Sequence, residues 1–323
     1  MKMRGWMLWG AALTLGGGAL VTADTVTVDA RLPLYERVGG ITGNVNSIGS
    51  DTLNNLMTFW AEGFAKQYPN VKIQVEGKGS ATAPPALIAG SAQLGPMSRP
   101  IKASESDAFE KKYGYKPTGI AVALDALAVY VNKDHPIQSL SIEQVDAIFS
   151  STRACGGAAN VSSWSQLGLE DQWARPISLY GRNSASGTYG YFKEHALCKG
   201  DFKDSVKEQP GSATVIEGVS NDRYGIGYSG MGYRTAGVRI LPLAALGSTT
   251  PVEATPENVY AGTYPLSRYL YIYVNKAPGR PFDPLVKQFL LYVLSQEGQA
   301  VVVKDGFIPL MEEIVNVELK KLE

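Results

Sequence analysis

The 323-residue chain has few of the residues that most enzymes work with, only two histidines and two cysteines. Neither His135 nor His195 stands near a second histidine, so a zinc centre and a histidine-based triad have little support. His135, in Asn-Lys-Asp-His-Pro, reads as a solvated loop residue. No Walker loop and no Gly-x-Ser-x-Gly elbow occurs. Gly225-x-Gly227-x-x-Gly230 has dinucleotide spacing, but no helical pattern follows it and Ala245 stands where an acid would be wanted. An excess of one charge is missing too: 30 Lys and Arg offset 30 Asp and Glu, without a basic run. That excludes the electrostatic footprint of a nucleic-acid binder, and any bound anion must be held by local groups.

Long apolar runs are also lacking. The one candidate, Trp6 to Leu20, is about 15 residues, short of the ~20 that a spanning helix needs. Lys2 and Arg4 precede it and Val21-Thr22-Ala23 follows, the pattern of an export signal cleaved after Ala23 to leave a mature chain from Asp24. No cysteine follows to carry a lipid. Export into an oxidising compartment leads us to expect a Cys155–Cys198 disulfide, closing a loop of roughly 44 residues and contributing about 4 kcal/mol. The alternative, two buried free thiols, sits poorly with neighbours Gly156-Gly157 and Lys199-Gly200, which read as surface loop.

Glycine, by contrast, is abundant: 35 residues, roughly 11% against a usual ~7%. Strand and helix patterns alternate after an extended leader over 24–43, as in an α/β protein with largely parallel sheets. Strands are expected at 45–48, 71–75, 176–180, 225–229 and 238–243. Leu53, Leu56, Met57, Trp60 and Phe64 form a helical stripe ending near Tyr68-Pro69. Further helices are expected at 82–90, 141–149, 189–197 and from Asp283-Pro284 to Gly298. Two segments echo one another, 123–132 (ALDALAVYVN) and 266–275 (LSRYLYIYVN). They suit the two strands by which a chain leaves one lobe and returns, giving lobe 1 over 24–127, lobe 2 over 128–268, and lobe 1 again over 269–323. A cleft between lobes is the default ligand site. Tyr228, Tyr233, Tyr269, Tyr271 and Tyr273 read as strand residues packed with their hydroxyls at the rim.

Hydroxyl and glycine residues collect where strands turn into helices: Gly49-Ser50-Asp51-Thr52, Gly77-Lys78-Gly79-Ser80, and Arg182 through Ser186-Gly187-Thr188. Each junction presents unpaired N–H groups and a partial positive charge, so each is an anion cup as well as an ordinary helix cap. Arg182 tips the reading, because a guanidinium fork matches a tetrahedral oxyanion.

In these residues the chain resembles the periplasmic phosphate-binding proteins that feed ABC-type phosphate importers, over about 43–310 and most specifically at Arg182-x-x-x-Ser186-Gly187-Thr188. The resemblance implies an α/β fold of two lobes, type II among periplasmic binding proteins, with mixed sheets flanked by helices and two hinge strands. It implies no enzyme activity and no cofactor, with inorganic phosphate as ligand and an inner-membrane ABC permease as partner. Carried over, its ligands fall on Ser50, Asp51, Thr52, Ser80, Ser98, Arg99, Arg182, Ser186, Gly187 and Thr188, and Ser184 replaces an aspartate that braces the arginine in several members. Many members place a proton-accepting aspartate where this chain has Met97-Ser98-Arg99-Pro100. Phosphate and sulfate share a shape, so discrimination needs an acceptor. Asp51 is the one carboxylate in the cups, with Arg99 and Arg182 expected to balance it and capping of its own helix as the plainer role. The alternatives are another oxyanion (sulfate, molybdate, tungstate) on the same fold, an exported phosphohydrolase, or an adhesion protein.

Overall fold

A computed structural model describes residues 26–323; the expected export signal and its cleavage site lie outside them. The chain runs β1 (Gly43–Gly49), α1 (Asn54–Gln67), β2 (Val71–Gly77), α2 (Ala83–Ala89), β3 (Gly95–Met97), α3 (Ala103–Tyr113) and the long β4 (Thr118–Asn132). Then come β5 (Leu140–Ser141), α4 (Ile142–Phe149), β6 (Ser178–Arg182), α5 (Gly187–His195), β7 (Lys207–Gln209), α6 (Ser212–Asn221), β8 (Gly225–Gly230) and β9 (Val238–Ile240). The last part holds β10 (Leu243–Ala244), β11 (Pro251–Val252), α7 (Pro256–Tyr260), β12 (Ser267–Val274), α8 (Pro284–Val293), α9 (Gln296–Lys304) and α10 (Glu312–Lys320).

A seven-stranded sheet in the order β3-β12-β4-β8-β6-β7, with β9 on β4, ties the two lobes together. The sheet is mixed rather than largely parallel. β12 pairs antiparallel with β3 and β4, and β4 antiparallel with β8, while β6 is parallel to β7 and β8. Two adjacent chain passes account for the reversal, since β4 is one uninterrupted apolar strand that serves both lobes. Its first part, Thr118–Ala126, pairs with β12, and Leu127–Val131 pairs with β8. The return pass lies beside the change of partner, where Leu127 N donates to Leu266 O at 3.0 Å.

The expected stripe on α1 packs as anticipated: Leu56, Met57, Trp60 and Phe64 are buried against α8 and α9. Phe64 meets Phe289 edge-on at 5.5 Å, and Tyr35 from the extended leader meets Tyr292 at 5.4 Å, so both ends of the chain build the first lobe's core. Removing one such ring would cost about 3–5 kcal/mol. The helix expected to run to Gly298 is two helices: Ser295 caps α9, and Gly298 lies within it. Cys155 and Cys198 form a disulfide that joins the loop after α4 to the end of α5 in the second lobe. His135 is not solvated. It is 2% exposed, with its ring 4.1 Å from that of Trp164 and 5.1 Å from that of Trp173.

Candidate anion site between the lobes

The first-lobe side of the cleft is made by three turns. Ser50, Asp51 and Thr52 link β1 to α1, Ser80 opens the short turn before α2, and Ser98 follows β3. All four hydroxyl residues are buried. Ser50 Oγ donates to Ser98 Oγ at 3.0 Å, Ser98 N donates to Ser80 Oγ at 3.0 Å, and Ser80 Oγ lies 3.3 Å from Ser98 Oγ. The second-lobe side is the turn from β6 into α5. Ser186 caps α5, its Oγ accepting from Thr188 N at 3.1 Å and Tyr189 N at 3.4 Å.

The sides meet at these residues. Thr52 Oγ1 and Thr188 Oγ1 share a hydrogen bond at 2.9 Å, and Ala81 N donates to Ala185 O at 3.1 Å. A side chain at Gly187 would collide with Ser80 Oγ and come within 2.6 Å of Ser98 Oγ, so only glycine lets α5 approach this closely. Gly79, at φ +114°, has Ala185 O 2.5 Å from where its Cβ would be. Both glycines serve the contact between lobes.

Arg182, 1% exposed, is the buried cation of the site. Its Nη1 donates to Ser212 Oγ at 2.6 Å and pairs with Asp51 Oδ2 at 3.1 Å, and its Nη2 donates to Pro210 O at 3.0 Å. Burial pulls its pKa down from the ordinary value, opposed by the charge of Asp51. Its Nε–H is buried without a partner among the described residues. Such an orphaned donor on a charged group is costly unless something accepts from it.

Asp51 does not cap α1, which has no side-chain cap. Its Oδ2 instead crosses the cleft to accept from Ser212 N at 2.8 Å and Ser212 Oγ at 3.0 Å, at the first residue of α6. Gly211, the N-cap of α6, has no side chain to offer, so the first lobe supplies the missing cap. Tyr233 fastens the same turn, donating to Asp51 O at 3.0 Å and Thr52 O at 3.2 Å. Burial pushes its phenol well above the ordinary range, so it stays a donor.

One expectation fails. Arg99 does not balance Asp51: its guanidinium grips Glu105 at 2.8 and 2.6 Å and Pro100 O at 2.9 Å. Glu105 sits in the first turn of α3, where its carboxylate also accepts from Lys102 N at 2.9 Å, and this fixed anion draws Arg99 away. Ser184 is exposed, and Arg182 is braced by Ser212 and Pro210 instead.

Several residues of the site went unforeseen. Ser212, Tyr228 and Tyr233 support the second-lobe side, Tyr228 OH accepting from Arg182 N at 3.2 Å. Beneath the site Arg268 on β12 pairs with Asp125 on β4, at 2.9 Å from Nε and 2.6 Å from Nη2. The signal for this pair was present: the echoing segments place Asp125 and Arg268 at the same position, and the strand register sets them opposite one another.

The accepting capacity of the cleft hydroxyls is largely used from behind. Ser80 accepts from a backbone N–H, Ser186 from two, and Thr188 from Arg268 Nη2 at 3.1 Å. Their protons are free to turn toward an anion held at the start of α5, on the same turn as Arg182. This arrangement can bind a small oxyanion. Among the described residues no group of acidic, histidine or cysteine side chains could hold a metal ion.

A model of the PBP superfamily domain matches residues 36–297, which makes the class that of two-lobed solute-binding proteins. The chain is 55% identical over its full length to the phosphate-binding protein PstS of Pseudomonas aeruginosa, covering 99% of that relative. It belongs to the PBP superfamily and, within it, to the family of that phosphate-binding protein. Protein SphX of Synechococcus elongatus is 30% identical over 82% of this chain and 77% of its own. Among solved structures, one from Clostridium perfringens, assigned to the phosphate ABC transporter substrate-binding proteins and carrying bound phosphate, superposes with a TM-score of 0.70 at 26% identity, covering 83% of this chain and 100% of that one. An ABC-type phosphate transport receptor from Vibrio cholerae shares the fold, with a TM-score of 0.64 at 22% identity over 82% of this chain and 100% of that one.

Proposed function

We propose that the chain captures inorganic phosphate between its lobes outside the cytoplasmic membrane and hands it to the permease of an ABC importer, without catalysis. The observation that carries this reading is the buried Arg182 Nε–H, which has no partner among the described residues, ahead of the turn whose Thr188 meets Thr52 of the first lobe. Arg182, Ser80, Thr188 and the backbone of Gly187 are the principal ligands, with Ser50, Thr52, Ser98 and Ser186 completing or orienting the shell. The 55% identity to a protein named for phosphate binding supports the choice of anion. In this reading residues 1–23 are an export signal cut after Ala23. The lobes divide near 127/128, where β4 changes partner, and the first lobe resumes near 268, where β12 begins.

Asp51 supplies selectivity. Its polar contacts fall on Oδ2, which leaves Oδ1 to accept the proton of hydrogen phosphate. Sulfate, unprotonated near neutral pH, would set an oxygen against that carboxylate. Charge-assisted bonds contribute about 1.5–3 kcal/mol each before desolvation, so a handful of them is enough for micromolar binding at about −8 kcal/mol. A thermal-shift screen of oxyanions tests the reading: phosphate should raise the melting temperature in proportion to the logarithm of its concentration, and sulfate far less. Equal shifts for the two, or none, would count against it.

A further inference from the structure

Thr188 has one hydroxyl proton, and where that proton points depends on a residue outside the anion-binding turns. Arg268 lies on β12 in the first lobe with its side chain 1% exposed. A guanidinium has five N–H donors and no acceptor. Arg268 directs Nη2 to Thr188 Oγ1 of the second lobe at 3.1 Å and Nη1 to Ser98 O at 2.8 Å, and it shares Nε and Nη2 with Asp125. Thr188 therefore uses one lone pair toward Arg268, which leaves its proton and its second lone pair for Thr52 or a bound anion. By holding the Ser98 carbonyl, Arg268 also restrains the residue whose own N–H donates to Ser80 Oγ.

We propose that Arg268 is a positioning residue for the anion: by occupying a lone pair of Thr188 it favours Thr188 as a donor to the anion, and it orients the Ser98 loop, while Asp125 neutralises its charge. Asp125 also accepts from Met231 N of the second lobe at 3.0 Å, so the pair spans the change of partner in β4 and forms its contacts to both lobes together. The inference rests on the phosphate reading and adds to it a residue whose atoms need not touch the ligand.

Removing Arg268 alone would leave Asp125 buried and unpaired, so the pair is best replaced as a unit. Exchanging a buried ion pair for apolar residues of similar volume is often neutral or stabilising. The test is calorimetric titration of phosphate into the unmodified chain, Asp125→Leu/Arg268→Met, Thr188→Val, and the triple variant, with melting temperatures recorded alongside. The pair variant should melt close to the unmodified chain yet bind phosphate roughly tenfold more weakly, and most of that loss should vanish on the Thr188→Val background. If the pair variant does not fold, Arg268→Lys takes its place with the same expectation, since one ammonium cannot serve Ser98 O, Thr188 and Asp125 in that geometry. No phosphate binding by the unmodified chain would overturn the function itself. Binding by the unmodified chain with unchanged affinity in the folded variant, or an equal loss with and without Thr188, would overturn the role of Arg268 alone.

Discussion

The two sides of the cleft are built on different plans. The first-lobe side is a net of serine hydroxyls with one carboxylate, at the start of a helix that has no side-chain cap. The second-lobe side has a cation, and its helix is capped by its own Ser186. In the proposed function this contrast becomes a division of labour: the second lobe contributes charge and helix dipole, and the first contributes donors and the acceptor that tells one oxyanion from another. The lobes are also held together differently. An aromatic core drawn from both chain ends stabilises the first, while the second has the disulfide and a histidine between two indoles.

The sharpest way to break this comparison is Arg182→Met. It should cost about 4 kcal/mol of phosphate binding, roughly a thousandfold in Kd by calorimetry, because no other second-lobe cation contacts the site residues. Next in size, Cys155→Ser/Cys198→Ser should lower stability to urea by about 4 kcal/mol, and hydrogen exchange should place the loss in the second lobe.

His135 supplies a pH test of the same lobe. Burial, assisted by Arg239, lowers its pKa from 6.5 to about 4, so it is neutral when folded and takes up a proton more readily when unfolded. Its contribution is complete above pH 6.5 and should fall by up to about 3 kcal/mol as the pH drops to 4, a slope that His135→Phe removes. Asp51→Asn should narrow the preference for phosphate over sulfate by about 2 kcal/mol, roughly thirtyfold, in paired titrations. The smallest effect separates cap from ligand. Ser186→Ala should cost about 1 kcal/mol of stability and change phosphate affinity by less than about threefold, while Ser80→Ala should do the reverse.

What could be read from the sequence followed the physics of short range. The stripe from Leu53 to Phe64 and the strand-to-helix turns with their hydroxyls follow from local periodicity and helix-end chemistry, and each lies where expected. The failures are long-range polar pairings. Asp51 reaches Ser212 across 161 positions, which no local pattern reports, and Arg268 reaches Asp125 across 143, legible only by aligning the two echoing segments as paired strands. Arg99 misled for the opposite reason, since its partner Glu105 is six residues away and outside the motif that drew attention to it. Helix α6, with the sequence SATVIEGVSN, carries β-branched and small residues and no cap of its own, so its start showed only once Asp51 was seen to supply the cap.

A crystal structure of the protein grown with phosphate tests the central claim most directly. One tetrahedral anion should lie between the lobes, accepting from Arg182 Nε and from the hydroxyls of Ser80 and Thr188. An anion elsewhere on the surface, with Arg182 still without an acceptor at Nε, would contradict it.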